Sequence, residues 1–174
     1  MSCYERLLQI REKIALKNPQ DQQLAVKLMQ LYTYQNEYQK MSSKATQLEK
    51  LLGNPDYGLY SIEALYLNSQ VKGASPFLIN LAIGFLEKQR QQRASSGQPL
   101  PLYFVQLYTK IMLSKGEYDK VLDFLSQNEA SFAMTLDKQK LIFKTLLRKG
   151  DKLGALNELL SIVRHNFENV NGDF

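Results

Sequence analysis

Along nearly the whole chain, apolar residues recur at spacings of three and four, and glycine, proline and asparagine divide them into nine stretches of helical length. The alternating pattern of a half-buried strand is absent. The first stretch runs from Cys3 to Lys17, with Tyr4, Leu7, Leu8 and Ile14, until Asn18 and Pro19 stop it. Asp21 is placed to cap a second helix that reaches about Tyr34. A third spans Glu37 to Leu52 and breaks at Gly53, Asn54 and Pro55, and a fourth spans Tyr57 to Ser69. Ser75 followed by Pro76 is a start signal for a fifth, whose apolar positions are Phe77, Leu78, Leu81, Ala82 and Phe85. Its polar tail, Glu87 to Arg93, passes into the linker-like stretch Ala94 to Pro101. Four more follow: Leu102 to Lys115, Glu117 to Gln127, Thr135 to Gly150, and Asp151 to His165.

A fixed period underlies this punctuation. Gly116 and Gly150 stand 34 residues apart (150 − 116), and each closes one helix and opens the next. Gly116-Glu117-Tyr118-Asp119 with Val121 matches the turn and second helix of a tetratricopeptide repeat. Gly150-Asp151-Lys152 with Ala155 matches it again, and Asn36-Glu37-Tyr38 with Met41 is a third, weaker copy. A helix pair cannot bury its apolar faces alone, so pairs stack and share a core. The expectation is an all-α, tetratricopeptide-like right-handed α-solenoid in one domain, 1–174, with a soft boundary at 94–101. Tyr38 and Tyr118, which open the second helix of their pairs, are expected to pack in the angle between the two helices.

Composition changes this picture little. With 44% hydrophobic and 22% charged residues the 174-residue chain is ordinary globular material. Its single cysteine, Cys3, forms no internal disulfide, and no run approaches the roughly 20 apolar residues of a membrane span. A cytoplasmic protein without membrane insertion is expected.

Catalytic chemistry is hard to assemble. The lone His165 and the lone Cys3 lie near opposite ends of the sequence, and His165 is expected to cap its helix C-terminus. No phosphate loop of the form G-x-x-x-x-G-K or G-x-G-x-x-G occurs, and no Cys/His cluster has metal-ligand spacing. Neither a cofactor nor a catalytic residue is expected. The aromatic residues recur at helical spacing and are expected in the core.

The net charge of +5 favours an anionic partner. Lys140, Lys144 and Arg148 are spaced by four and share one face of the eighth helix, and the repeat frame sets Lys110 beside them on the inner, concave surface. These four are the candidate partner-binding residues, with Gln30, Tyr34, Tyr103 and Gln106 as neutral inner-face candidates. Lys88, Arg90 and Arg93 are expected to be a solvated helix end, and sequence-specific nucleic-acid binding is not expected.

The order of features resembles the auxiliary subunit of the NatB N-terminal acetyltransferase. The likeness lies in Glu37-Tyr38-Gln39-Lys40-Met41, in Asn54-Pro55-Asp56-Tyr57 opening a helix that contains Ser61, and in Leu81-Ala82 with Phe85-Leu86-Glu87-Lys88. It continues through Leu107-Tyr108, Gly116 to Asp123, and the break between Leu146 and Ala155. It is collinear over nearly the whole chain and corresponds to an internal part of that family's N-terminal repeat array. The resemblance implies a non-catalytic subunit that cradles a small acetyl-CoA-carrying acetyltransferase and helps attach it to the ribosome. This chain has no R/Q-x-x-G-x-G/A loop for acetyl-CoA itself. The alternative is a stand-alone tetratricopeptide module holding an acidic or C-terminal peptide.

Overall fold

The computed structural model describes residues 3–133 and 135–171. Among them are nine α-helices and no strand. The helices are α1 (Cys3–Lys17), α2 (Gln22–Tyr34), α3 (Tyr38–Leu52), α4 (Gly58–Ser69), α5 (Phe77–Ser95), α6 (Leu102–Ser114), α7 (Tyr118–Gln127), α8 (Thr135–Lys149) and α9 (Lys152–Asn171). Short 3-10 turns at Pro55–Tyr57 and Glu129–Ser131 precede α4 and α8. The architecture is the expected all-α, tetratricopeptide-like one. Two compact units divide the chain, residues 1–89 and 90–174.

One turn is used repeatedly to reverse the chain. At the end of α2, Asn36 takes a left-handed conformation (φ 59°), its N–H donates to Thr33 and that of Glu37 donates to Tyr32, at 3.2 and 2.8 Å. After α6, Gly116 (φ 76°) and Glu117 donate to Leu113 and Met112. After α8, Gly150 (φ 86°) and Asp151 donate to Leu147 and Leu146. Each is a Schellman motif, which satisfies carbonyls that a helix end leaves open. The residue after the left-handed one then starts the next helix. The carbonyls of Glu37, Glu117 and Asp151 accept from Met41, Val121 and Ala155, all of which are buried. Asp151 also caps α9 with its side chain, accepting from the N–H of Gly154 at 2.8 Å. A Cβ on Gly154 would come within 2.5 Å of that carboxylate, so glycine leaves the cap its room.

Gly97 (φ 65°) forms a fourth such turn at the end of α5, with Gln98 donating to Arg93 and Gly97 to Ala94. The fifth helix therefore runs through its polar tail and two residues into the expected linker, to Ser95. Ser75 does cap α5, its hydroxyl accepting from Phe77 N–H at 3.3 Å, and Asp21 caps α2 through Leu24 N–H at 2.9 Å. α9 continues past His165 to Asn171, which removes His165 from the last turn; its side chain, like that of Cys3, lies outside the described ones.

In the first unit α1 packs on α2, α2 on α3 and α3 on α4, around Leu28, Met29, Met41, Ala45 and Leu48. In the second unit α6 packs on α7, α7 on α8 and α8 on α9, and α6 also meets α8. Its centre is aromatic: the rings of Tyr108 and Phe124 stack 4.0 Å apart and Phe104 lies 6.4 Å from Tyr108. Not every aromatic is inside, since Phe77 and Phe85 of α5 stand exposed and Ala82 and Leu86 provide that helix's buried contacts. Tyr38 and Tyr118 are half-buried rather than enclosed. Each opens its helix at the turn, where the hydroxyl needs a polar neighbour; that of Tyr38 donates to Asn36 Oδ1 at 2.7 Å.

Open space surrounds Gly150, and at Gly116 the nearest atom to an added Cβ is Tyr118 Cε2 at 3.9 Å. Substitution at either therefore meets backbone strain alone. Gly116→Ala and Gly150→Ala should each destabilise by about 1–2 kcal/mol, the cost of a left-handed L-residue, read as a lower urea midpoint. An unchanged midpoint would show that the turn does not hold this conformation.

Burial first, then the hydrogen bond from its hydroxyl to Glu12 (3.0 Å) and the charges of Glu12 and Glu37, raise the Tyr32 phenol well above its usual range. The fold thus favours neutral Tyr32, a contribution fully present below the unfolded phenol's pKa of about 10 and lost as pH rises beyond it. Tyr60 is raised in the same sense by burial. Tyr32→Phe should cost about 1 kcal/mol at neutral pH and make the alkaline loss of stability shallower, measured as urea midpoints from pH 7 to about 11.

Candidate partner-binding surface

α6 is enclosed on every side but one. Phe104, Val105, Leu107, Tyr108, Thr109 and Ile111 are all buried, as are Met112 and Leu113, whereas Gln106, Lys110 and Ser114 are exposed. These three follow one another at a spacing of four and form a single stripe. They lie ten, six and two residues before Gly116. The residues ten, six and two before Gly150 are Lys140, Lys144 and Arg148, and all three are exposed. Before Asn36, in the first unit, the same places hold half-buried Val26 and exposed Gln30 and Tyr34, the last at 78%. The turn fixes the rotation of each first helix, so one stripe of it recurrently faces solvent.

The four sequence-predicted cations thus occupy equivalent exposed stripes on two helices that pack together, α6 and α8. Lys110 and Lys144 are the same position in successive pairs. Of the neutral candidates, Gln30, Tyr34 and Gln106 are exposed and Tyr103 is half-buried.

α8 sorts its basic residues by task. Lys138 pairs with Glu129, drawing that carboxyl below its ordinary value, and so ties the start of α8 to the preceding 3-10 turn. Lys149 Nζ lies 2.6 Å from Asp119 Oδ1, which raises the ammonium's pKa and ties α8 to α7. Lys140 is 4.0 Å from Asp137, one turn before it. Lys144 and Arg148 form no ion pair among the described residues. With a helical rise of about 1.5 Å per residue, three cations along about 12 Å make a ribbon that suits a carboxylate-bearing segment. Exposed Leu147 borders it with an apolar side chain.

A groove of the first unit holds a set of polar side chains that pair with one another. Between α1 and α3 an open groove of about 540 Å³ is lined by Glu12, Leu16, Tyr32, Lys40 and Lys44 among others. Three of its ionisable groups answer one another: Tyr32 donates to Glu12, and Lys40 lies 3.8 Å from Glu12, as well as 3.6 Å from Glu37. Sequence reading missed this Glu12-Tyr32-Lys40 network, because its members come from three helices and carry no common motif. Lys88 is exposed on α5, and Arg90 and Arg93 are half-buried on it. The described residues contain no group of three or more His, Cys, Asp or Glu side chains that could hold a metal ion, and no helix long and apolar enough to cross a membrane.

The sequence matches the family described as "Psidin, N-terminal TPR repeats region" over residues 1–163. The chain belongs to that family. No curated protein and no solved structure matches it. Membership of the Psidin N-terminal repeat family agrees with the turn geometry at Asn36, Gly116 and Gly150. It makes the chain a tetratricopeptide-type protein-interaction module.

Proposed function

We propose that this chain is a non-catalytic scaffold of the kind provided by the auxiliary subunit of the NatB N-terminal acetyltransferase. In this reading it acts in the cytoplasm, binds the catalytic acetyltransferase subunit and helps bring it to the ribosome. The exposed stripes of α6 and α8 support the reading most. They repeat in register with the turns, and the stripe of α8 includes two cations, Lys144 and Arg148, that form no ion pair among the described residues. Free cations spaced along one helix repel each other slightly, and an acidic partner segment relieves that repulsion.

The same ribbon supports a second reading, a module that takes acidic or C-terminal peptides from other proteins. The two separate by what binds: a catalytic acetyltransferase subunit through a folded surface, or a short acidic peptide by itself.

Lys144→Glu with Arg148→Glu replaces exposed side chains and should leave helicity and the urea midpoint nearly unchanged. Binding of the purified catalytic subunit should slow by roughly tenfold at low salt, with a weaker salt dependence. Equal rates at two salt concentrations would remove the ribbon from the binding surface. Mixed with acetyl-CoA and a Met-Asp or Met-Glu peptide, the chain alone should transfer no acetyl group; transfer above the uncatalysed rate would refute the scaffold role.

A further inference from the structure

The end of α5 carries chemistry that the partner-binding surface leaves unused. Residues 90–96 read Arg-Gln-Gln-Arg-Ala-Ser-Ser, which sets Arg93 three residues before Ser96 and Arg90 three before that. Ser95 closes the helix and Ser96 is the first residue beyond it. Every residue from Ala94 to Pro99 is exposed. The Ser96 hydroxyl donates to the carbonyl of Arg93 at 3.0 Å, and that of Ser95 to the carbonyl of Gln92 at 2.8 Å, both within the last turn. Backbone bonds from Ser96 to Gln92, from Gly97 to Ala94 and from Gln98 to Arg93 hold this turn, with Gly97 left-handed. An exposed terminal turn opens at small cost. Once open it extends readily, because Gly97 is conformationally permissive and Pro99 biases Gln98 towards the β region.

We propose that Ser96 is a phosphorylation site for a serine kinase that selects basic substrates, its acidic substrate groove reading Arg93. Charge pattern is a common basis of kinase selectivity, and an arginine three residues before the serine is a minimal form of it. Arg93 is half-buried in the closed turn and meets the kinase as the turn opens. The Ser96 oxygen attacks the γ-phosphorus of ATP and an O–P bond forms. The bond from that phosphorus to the β–γ bridging oxygen breaks, ADP leaves, and the hydroxyl proton passes to the base of the kinase. Ser95, with Arg93 only two residues before it, is the poorer target.

Phosphorylation then acts as a switch on the turn. It replaces a hydroxyl donor by a group of about −1.5 to −2 charges rich in acceptors, so the bond to the Arg93 carbonyl is lost. That charge also lies beside the open carbonyls at the negative end of the helix dipole, where an anion is unfavourable. Both effects open the turn, shorten α5 and return residues 93–98 to an irregular linker.

The test incubates the full chain with ATP and an activated calcium/calmodulin-dependent protein kinase, which selects arginine at this spacing, and locates phosphate by tandem mass spectrometry. Wild type should take up about one phosphate per chain, on Ser96. Ser95→Ala should react within about twofold of the wild-type rate, and Ser96→Ala, an exposed change that keeps the helical circular dichroism, should lose the phosphate. Arg93→Ala should slow the reaction roughly tenfold or more, and Arg93→Lys should recover part of the rate. Hydrogen exchange reads the switch: amides of Ser96, Gly97 and Gln98 should exchange several-fold faster in the phosphorylated chain, while those of α6 stay the same. Absence of phosphate from Ser96, or an equal rate for Arg93→Ala, overturns the site. Phosphate on Ser96 with unchanged exchange overturns the switch.

Discussion

The left-handed turn that closes α2, α6 and α8 is the constraint from which the rest follows. Two backbone hydrogen bonds and one residue at positive φ end a helix and start another within two or three residues. Such a short link leaves the second helix little freedom to rotate about its axis. The phase of the side chains is therefore set by the backbone: residues five past the turn (Met41, Val121, Ala155) go inward, and those six and two before it go outward. Hydrophobic burial then acts on a geometry already chosen. The stacked rings of Tyr108 and Phe124 and the buried run of α6 show this most fully, since between Phe104 and Ser114 only the outward stripe of that helix is left to solvent.

That division separates cations that hold the fold from cations that remain available. On α8, Lys138 and Lys149 point to Glu129 and Asp119 and bind the helix to its neighbours, while Lys144 and Arg148 fall on the outward stripe and pair with no acid among the described residues. Exposed pairs of the first sort add little to stability, because solvent screens them. Their use lies in orientation, since they tie α8 to its neighbours and so help hold the direction of the ribbon.

Much of this was legible in the sequence for a physical reason. A left-handed residue demands glycine or asparagine, so Asn36, Gly116 and Gly150 marked the turns, and the 34-residue interval gave the frame that set Lys110 and Lys144 in equivalent places. Gly97 carried the same signal, but the serines before it read as a loose linker although the preceding Glu87 to Arg93 is rich in good helix formers. Tertiary partners were not legible. Periodicity alone could not say that Phe77 and Phe85 stay outside or that Tyr32 meets Glu12 across two helices, because an apolar stripe looks the same in sequence whether or not another helix covers it.

The measurement that bears most directly on the outward stripe as working surface is amine acylation of lysines, quantified by mass spectrometry, with the chain free and bound to the catalytic acetyltransferase subunit. The account predicts that labelling of Lys110, Lys140 and Lys144 falls several-fold on binding while that of Lys17 and Lys72, exposed elsewhere, stays the same. Unchanged labelling of those three, with protection appearing on other lysines, would contradict it.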